Sequence, residues 1–277
     1  MTKANNSIPR LAMINSFAGF GRCSTTVSLP IISTMGVQVC PVPTSVLSNH
    51  LAYPHCAFLD YTPYMSEYLH VWKQLSLSFD GLYCGFLANA TQLQIVEHFL
   101  DSFLPDFFLL DPVMGDNGKT YSSVTRAQVC GLSRLLSRAT LITPNLTEAC
   151  LLTATPYHDG VWSNQELSLL GERLSRLCPG DIVITGIGSD ECITNYILQN
   201  GQESLVKAPS AGSPHHGTGD IFASILAADA LLGRDLASSV KKAADFICTC
   251  ITGSEKAGVP EKEGLLFEKY LSLLITP

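Results

Sequence analysis

The stretch SPHHGTGDIFASILAADALLG, residues 213–233, places a flexible Gly-Thr-Gly directly before Asp220 and a strongly apolar segment directly after it. In one interpretation this is a tight turn that leads into a buried helix. Asp220 is then an ordinary N-cap, which stabilises a helix by about 1 kcal/mol. In the other, the glycines let backbone N–H groups converge on an anion at a helix N-terminus, beside a carboxylate that accepts a proton. The residues favour neither interpretation, and the two are compatible.

Outward from this stretch, short apolar segments alternate with longer segments of helical period. This alternation is typical of parallel strands joined by crossover helices. The predicted helices cover 25–34, 66–78, 91–102, 124–137, 147–152 and 164–177. The predicted strands cover 11–15, 36–46, 81–87, 107–113 and 140–145, with three more at 181–186, 193–198 and 203–209.

The last three predicted strands follow one another with only turns between them, and apolar helices then run almost to the end of the chain. This order predicts antiparallel strands at the edge of a mostly parallel sheet. No linker interrupts the pattern, so we expect one α/β domain over residues 1–277. In open α/β sheets, ligands bind outside the carboxyl ends of the strands, and we expect the chemistry there.

The composition argues against several classes of protein. Hydrophobic residues make up 46% of the 277 residues and charged residues 15%, which allows a large core and argues against disorder. The net charge is −7, and no Lys/Arg cluster offers a surface for nucleic acid or an anionic membrane. No apolar run approaches the roughly 20 residues of a membrane span, and the N-terminus lacks a leader pattern. We therefore expect a cytoplasmic protein that binds any anion through backbone dipoles, a metal ion or a few cations.

The ten cysteines are scattered through apolar segments of a chain much larger than a typical disulfide scaffold. Buried reduced thiols are the favoured interpretation, because free cysteine behaves as a small hydrophobic residue. The close pair Cys248 and Cys250 lacks a second pair at zinc-ligand spacing, which favours core packing.

Polar and acidic residues concentrate where the predicted strands end. Asp111 opens the segment DPVMGD (111–116), and Glu148 closes the segment TPNLTE (143–148). A carboxylate at a strand end could hold Mg²⁺, which binds a few carboxylates together with waters and phosphate oxygens. Asp111 could equally satisfy a turn, and Glu148 could be an acidic residue in the first turn of a helix capped by Thr147. Both interpretations stay open.

Histidines and lysines give weaker signals. His50 closes the segment Ser48-Asn49-His50 after the second predicted strand, from where it could reach a small polar molecule. A lone histidine such as His50 or His216 is more often a hydrogen-bonded structural residue than a catalyst. No lysine stands out as a dedicated phosphate clamp.

Taken in order, these motifs resemble the pyridoxal/pyridoxamine kinases of the ribokinase-like superfamily over nearly the whole chain. The resemblance rests on Ser16, the SNH segment at 48–50, Gly85, LDPVMGD at 110–116, ITPNLTE at 142–148 and GTGD at 217–220. The GTGD motif defines the superfamily, and the DPVMGD and SNH segments narrow it.

The resemblance implies a three-layer αβα ribokinase-like fold and an ATP-dependent kinase that phosphorylates the 5′-hydroxymethyl group of pyridoxal, pyridoxamine or pyridoxine. Asp220 would be the base, and the backbone N–H groups of Gly217, Thr218 and Gly219 would form an anion hole. Mg²⁺ would bridge ATP phosphates near Asp111 and Glu148. The nucleotide side would also include Thr143, Asn145 and Thr185, and the acceptor side would comprise Ser16, His50, Leu51, Gly85 and Phe86 together with Asp220.

Further partners follow from the same resemblance. A monovalent cation such as K⁺ is a candidate second ion. Related kinases are commonly homodimers, so the resemblance also implies a homodimer. The segment 49–68 is rich in aromatic residues and prolines, which suggests a lid or a subunit contact; a packed surface loop is the alternative.

The chain departs from the pattern of many family members at three positions. Phe17 follows Ser16 where histidine is common, Leu51 follows the SNH segment where threonine is common, and Phe86 replaces a tyrosine at the ring-stacking position. Phe86 keeps the aromatic face and loses the hydroxyl. These differences leave the preferred vitamer open.

Two alternatives to a vitamin B6 kinase remain. The first is a hydroxymethylpyrimidine kinase or another small-alcohol kinase of the same superfamily, although Ser16 together with the SNH segment favours B6. The second is an inactive member that senses a ligand. Against that second alternative, the chain retains Asp220, Gly217, Gly219, Asp111 and Glu148.

Overall fold

The computed structural model describes residues 8–122, 124–188, 192–212 and 215–275, and a sheet of nine strands runs through this part of the chain. The strands are β1 (Arg10–Ala18), β2 (Gln38–Leu47), β3 (Phe58–Asp60), β4 (Gly81–Cys84), β5 (Phe107–Leu110), β8 (Leu141–Ile142), β9 (Asp181–Gly188), β10 (Cys192–Gln199) and β11 (Gln202–Pro209). The short strands β6 (Gly115–Asp116) and β7 (Lys119–Thr120) form a separate hairpin.

The strand order is β11-β10-β9-β8-β5-β4-β1-β2-β3. The strands from β9 to β2 in this order pair in parallel, whereas β10 and β11 at one edge and β3 at the other pair antiparallel. This confirms the predicted mostly parallel sheet with antiparallel edge strands. It also adds a second antiparallel edge, β3, that the sequence pattern did not reveal.

Helices cover both faces of the sheet. They are α1 (Thr25–Thr34), α2 (Thr62–Gln74), α3 (Ala90–Phe103), α4 (Arg126–Leu136), α5 (Leu146–Thr153), α6 (Asn164–Ser175), α7 (Thr218–Leu231) and α8 (Leu236–Lys256), followed by 3-10 turns at Glu261–Glu263 and Glu268–Leu274. No described helix is both long enough and apolar enough to cross a membrane.

Strand β1 shows why the molecule has three layers. Successive side chains of a strand point to opposite faces, so Leu11 and Met13 pack with α1, α7 and α8, whereas Ala12 and Ile14 pack on the side of α2 to α6. All four side chains are fully buried. Such a strand, apolar on both faces, belongs at the centre of a three-layer αβα fold, which is the fold expected from the sequence.

Several predicted boundaries differ from the observed ones. Helix α2 begins at Thr62 rather than at residue 66, because Pro63 lies in its first turn, where a missing N–H is tolerated. The strands predicted at 81–87 and 107–113 end at Cys84 and Leu110, and the residues that follow them form crevice loops. The β6–β7 hairpin was missed although its turn residues Asn117 and Gly118, both with positive φ, are a strong hairpin signal.

Candidate active site

The N-terminus of α7 opens toward the carboxyl ends of the central strands. Gly217 is the N-cap and has a left-handed backbone, with φ 83°, and no described side chain caps the helix. An added Cβ at Gly217 would lie 2.0 Å from the carbonyl oxygen of Arg22, whereas one at Gly219 would meet no atom of the described residues within 4 Å. The backbone at Gly217 therefore packs tightly against Arg22, whereas the space beside Gly219 is open, and an anion could approach the N–H groups there.

Asp220 lies in the first turn of α7 and is not the N-cap, so the capping interpretation is wrong. Its Oδ2 accepts a hydrogen bond from the backbone N–H of Ser24 at 2.8 Å, and its Oδ1 accepts one from Asn15 Nδ2 at 3.4 Å. Burial raises the pKa of Asp220, and these two hydrogen bonds oppose that rise. The carboxylate is held by β1 and by the loop after it instead of by its own helix.

Ser24 has an unusual backbone, with φ 54° and ψ −138°, at the N-cap of α1. Non-glycine residues rarely adopt positive φ, and such strain persists where surrounding contacts enforce it. Here the strained peptide directs the Ser24 N–H at Asp220, while Ser24 Oγ accepts a hydrogen bond from Ser16 Oγ at 2.8 Å. Ser16, expected on the acceptor side, is 5% exposed and lies in this network.

Asn15 is a buried polar residue of β1 and contacts three segments of the site. Its Oδ1 accepts hydrogen bonds from the backbone N–H groups of Ser16 at 2.8 Å and Phe86 at 3.1 Å. A Cβ at Gly85 would lie 2.7 Å from Asn15 Nδ2, so glycine at this position makes room for the amide. Gly85 and Phe86 therefore lie near Asp220, as expected, with Asn15 between them.

Asp111 follows β5 and lies in the crevice floor, 7% exposed. Its Oδ1 accepts a hydrogen bond of 3.3 Å from Thr143 Oγ1. Burial and, to a smaller extent, the charge of Asp220 raise the pKa of Asp111 to about 8, and the Thr143 hydrogen bond opposes this rise. The two aspartates are thus close enough to influence each other.

Glu148 and Asn145 form a capping box at the start of α5. Glu148 Oε1 accepts the Met114 N–H at 3.0 Å and Oε2 accepts the Asn145 N–H at 2.9 Å, while Asn145 Nδ2 donates to the Gly115 carbonyl at 2.9 Å. Burial, together with the charge of Asp111, raises the pKa of Glu148 well above its usual value. The helix-start interpretation of Glu148 is correct, with Asn145 rather than Thr147 as the N-cap.

Thr185, in the middle of β9, completes the polar rim beside the end of β8. Its N–H donates to the Pro144 carbonyl at 2.9 Å, and the residue forms an isolated parallel bridge with Asn145. The side chain is partly exposed. The segment from Thr143 to Asn145, which follows β8, therefore lies beside Thr185 of β9. Their contact with a nucleotide stays a prediction.

His50 is engaged within the protein through both ring nitrogens. Nε2 lies 2.6 Å from the Lys262 carbonyl and Nδ1 accepts the Ala52 N–H at 3.3 Å, an arrangement that places the ring proton on Nε2. The ring also lies 4.6 Å from that of His216 between centroids. His50 thus joins the loop after β2 to the C-terminal segment, and its expected contact with an acceptor stays a prediction. Leu51 is 48% exposed.

Two residues of this site were missed from the sequence. Asn15 carried a signal, because it is the polar residue that ends the apolar segment LAMIN. Ser24 carried none, since its role depends on its backbone conformation. Among the described residues, no group of three or more His, Cys, Asp or Glu side chains is arranged to hold a metal ion.

The model of the phosphomethylpyrimidine kinase family matches residues 71–264. A hydroxymethylpyrimidine/phosphomethylpyrimidine kinase from Haemophilus influenzae is 33% identical over 175 residues, which are 61% of this chain and 63% of that protein. One from Aquifex aeolicus is 28% identical over 90% of both chains. A pyridoxal kinase from Dictyostelium discoideum is 25% identical over 95% of this chain and 93% of its own.

Solved structures of the same two kinds of kinase are also similar to this chain. A provisionally assigned phosphomethylpyrimidine kinase from Bacteroides thetaiotaomicron superposes with a TM-score of 0.93 at 34% identity, covering 100% of this chain and 97% of its own. The pyridoxal kinase from Lactobacillus plantarum shares the fold, with a TM-score of 0.90 at 24% identity over 97% of both chains.

The fold and the motifs at its crevice define a ribokinase-like kinase, and the resemblance to pyridoxal kinases is confirmed. Within that class, the chain belongs to the phosphomethylpyrimidine kinase family. Kinases of pyridoxal and of hydroxymethylpyrimidine both occur among its relatives.

Proposed function

We propose that this protein transfers a phosphoryl group from ATP to the 5′-hydroxymethyl group of a B6 vitamer: pyridoxal, pyridoxamine or pyridoxine. The observation that carries the proposal is Asp220, held by Ser24 and Asn15 at the open N-terminus of α7. A second crystal form of the Bacteroides protein, 34% identical over 98% of this chain, contains pyridoxal.

In this mechanism Asp220 accepts the proton of the acceptor hydroxyl as the oxygen attacks the γ-phosphorus, and the bond from that phosphorus to the β–γ bridging oxygen breaks to release ADP. The hydrogen bonds from Ser24 and Asn15 favour the ionised carboxylate that this step requires. The backbone N–H groups of Gly217 to Gly219 stabilise the charge that develops on the transferred group. Phosphoryl transfer depends mainly on positioning and electrostatics, and a chain of net charge −7 can supply these locally.

The residues present fit a divalent cation such as Mg²⁺. Asp111 and Glu148 are both buried. Burial and the charge of Asp220 raise the pKa of Asp111, and burial and the charge of Asp111 raise the pKa of Glu148, which is the situation that a bound cation relieves. Asp111 would bind the ion directly, since among the described residues its carboxylate accepts only the 3.3 Å bond from Thr143. Both oxygens of Glu148 accept backbone N–H groups, so we expect it to act through water. The ion would neutralise ATP phosphate oxygens.

The nucleotide would lie along Thr143, Asn145 and Thr185. Pyridoxal kinase from Leishmania donovani, which shares the fold, has been solved with ADP. Thr143 is buried, whereas Asn145 and Thr185 are partly exposed. A requirement for K⁺ and a homodimer with segment 49–68 as a lid or contact are further parts of the proposal, testable by activity in K⁺-free buffer and by light scattering.

A second candidate is phosphorylation of hydroxymethylpyrimidine. It is favoured by the family model and by the Haemophilus and Aquifex relatives. The mechanism would be unchanged, because both acceptors present a hydroxymethyl group on an aromatic ring.

The test incubates the protein with ATP, Mg²⁺ and separately each B6 vitamer and hydroxymethylpyrimidine, and follows the phosphorylated product by mass. Asp220→Asn should abolish product formation, whereas the matched change Asp106→Asn, at an exposed position, should not. Product from the pyrimidine alone would overturn the B6 assignment. ATP binding without any product would support the inactive, ligand-sensing alternative.

A further inference from the structure

Asn15 connects the base to the segment expected to contact the acceptor ring. The side chain is 1% exposed and lies in the second half of β1, where the pairing register with β2 shifts. Through Oδ1 it binds the N–H groups of Ser16 and Phe86, and through Nδ2 it binds Asp220. One amide thus touches β1, the loop after β4 and α7.

The orientation of this amide is fixed by its neighbours. Two backbone N–H groups point at Oδ1, and an amide turned by 180° would set its own NH₂ group against both of them. Nδ2 must therefore face Asp220 Oδ1. Gly85 contributes by leaving the space that a Cβ would fill, 2.7 Å from Nδ2.

We propose that Asn15 is a positioning residue, which fixes the rotation of the Asp220 carboxylate and its distance from the Gly85–Phe86 segment. This inference rests on the proposed function. Ser24 N–H holds Oδ2 and Asn15 holds Oδ1, so the carboxylate is restrained at both oxygens. The same amide also binds the backbone of Phe86, so Asn15 positions both the base and the segment expected to contact the acceptor ring. A hydroxyl group attached to that ring is then delivered to the base in one geometry.

Two substitutions separate this role from simple support of the strand. Asn15→Asp keeps an oxygen for the Ser16 and Phe86 N–H groups and places a second carboxyl oxygen against Asp220. Asn15→Ala removes all three hydrogen bonds. The matched control Asn164→Asp makes the same chemical change at the exposed first residue of α6.

For Asn15→Asp we expect kcat at pH 7 to fall at least tenfold, with the KM for ATP within about threefold of wild type. The acid limb of the kcat profile should move up by about one pH unit or more, because two adjacent carboxyl groups disfavour ionisation. Asp111, Tyr83 and Cys23 also lie in the electrostatic neighbourhood of Asp220, and they are identical in all variants. Asn15→Ala should lower kcat and raise the KM for the acceptor.

A wild-type kcat and pH profile for Asn15→Asp would overturn the proposal, and so would an Asn15→Ala protein that folds and turns over normally. If the wild type phosphorylates no acceptor, the proposed function fails independently. The proposal is then decided by ¹³C NMR of the Asp220 carboxyl group in the ligand-free protein, assigned by its absence in Asp220→Asn. An upward shift of its titration midpoint in Asn15→Asp supports the contact, and an unchanged midpoint refutes it.

Discussion

Replacing Gly217 by alanine should both destabilise the protein and inactivate it. With φ at 83°, alanine is forced into the left-handed region at a cost of about 1–2 kcal/mol. Its Cβ would also lie 2.0 Å from the Arg22 carbonyl oxygen, so that backbone must move by roughly 1 Å. Such overpacking typically costs about 1–3 kcal/mol.

Together these effects lower the free energy of unfolding by about 2–5 kcal/mol, which corresponds to a fall in Tm of roughly 4–10 °C for a domain of this size. Displacement of Arg22 also carries Ser24 away from Asp220 Oδ2, a contact of 2.8 Å. We expect kcat to fall by about a hundredfold or more, the range seen when an oxyanion-hole donor is lost.

Substitutions at two other glycines distinguish the effect of backbone strain from a direct effect on catalysis. Gly233 has φ 70° and nothing within 4 Å of an added Cβ, so Gly233→Ala should cost only about 1 kcal/mol and leave activity unchanged. Gly219 lies in the first turn of α7 with open space beside it. Gly219→Ala should keep or raise Tm, because alanine is favoured over glycine in helices by about 1 kcal/mol. Its methyl group should nonetheless lower kcat, since it occupies the approach to the N–H groups.

Differential scanning calorimetry and steady-state kinetics on the three variants test this reasoning. A Tm for Gly217→Ala equal to that of Gly233→Ala would refute the argument from the Arg22 contact. Full activity of Gly219→Ala would refute the placement of the anion hole.

Other predictions concern carboxylates, thiols and the C-terminal contact. Because the pKa of Asp111 is raised to about 8, the folded state binds its proton more tightly than the unfolded state, and the free energy of unfolding falls as pH rises toward 8. Asp111→Asn should therefore raise the Tm of the ligand-free protein by several degrees at pH 8 and by less at pH 5. An equal rise in Tm at the two pH values would contradict this. Iodoacetamide at pH 8 should modify exposed Cys130 and spare Cys23, whose pKa is raised to about 12, as peptide mass mapping can show. His50→Phe should lower Tm by about 2–4 °C through loss of the Lys262 hydrogen bond. An unchanged Tm in thermal scans would show that the His50 contact does not stabilise the fold.

The sequence predicted the fold well because its signals were local. Apolar runs such as LAMIN and FFLL mark strands buried on both faces, and the intervening periodic segments mark the helices. The three closely spaced strands at 181–209 predicted an antiparallel edge correctly. By contrast, β3 consists of three exposed residues, and nothing in their pattern distinguishes them from a loop.

The sequence also located the residues at the crevice, since the ends of parallel strands lie at one edge of a sheet. Asp111 and Thr143, which follow the parallel neighbours β5 and β8, come together for that reason. The interpretation of Glu148 as a helix-start residue was equally local, because a capping box needs only four consecutive residues.

What the sequence by itself determined is the set of strands and helices, their mostly parallel order and the acidic and glycine-rich residues at the strand ends. These depend on periodicity and on turn chemistry, which act over a few residues. Only the tertiary structure decided what holds Asp220, the proposed base. Asn15 and Ser24 lie 205 and 196 positions before Asp220 in the chain, and their hydrogen bonds to it depend on an amide orientation and a strained peptide that long-range packing imposes.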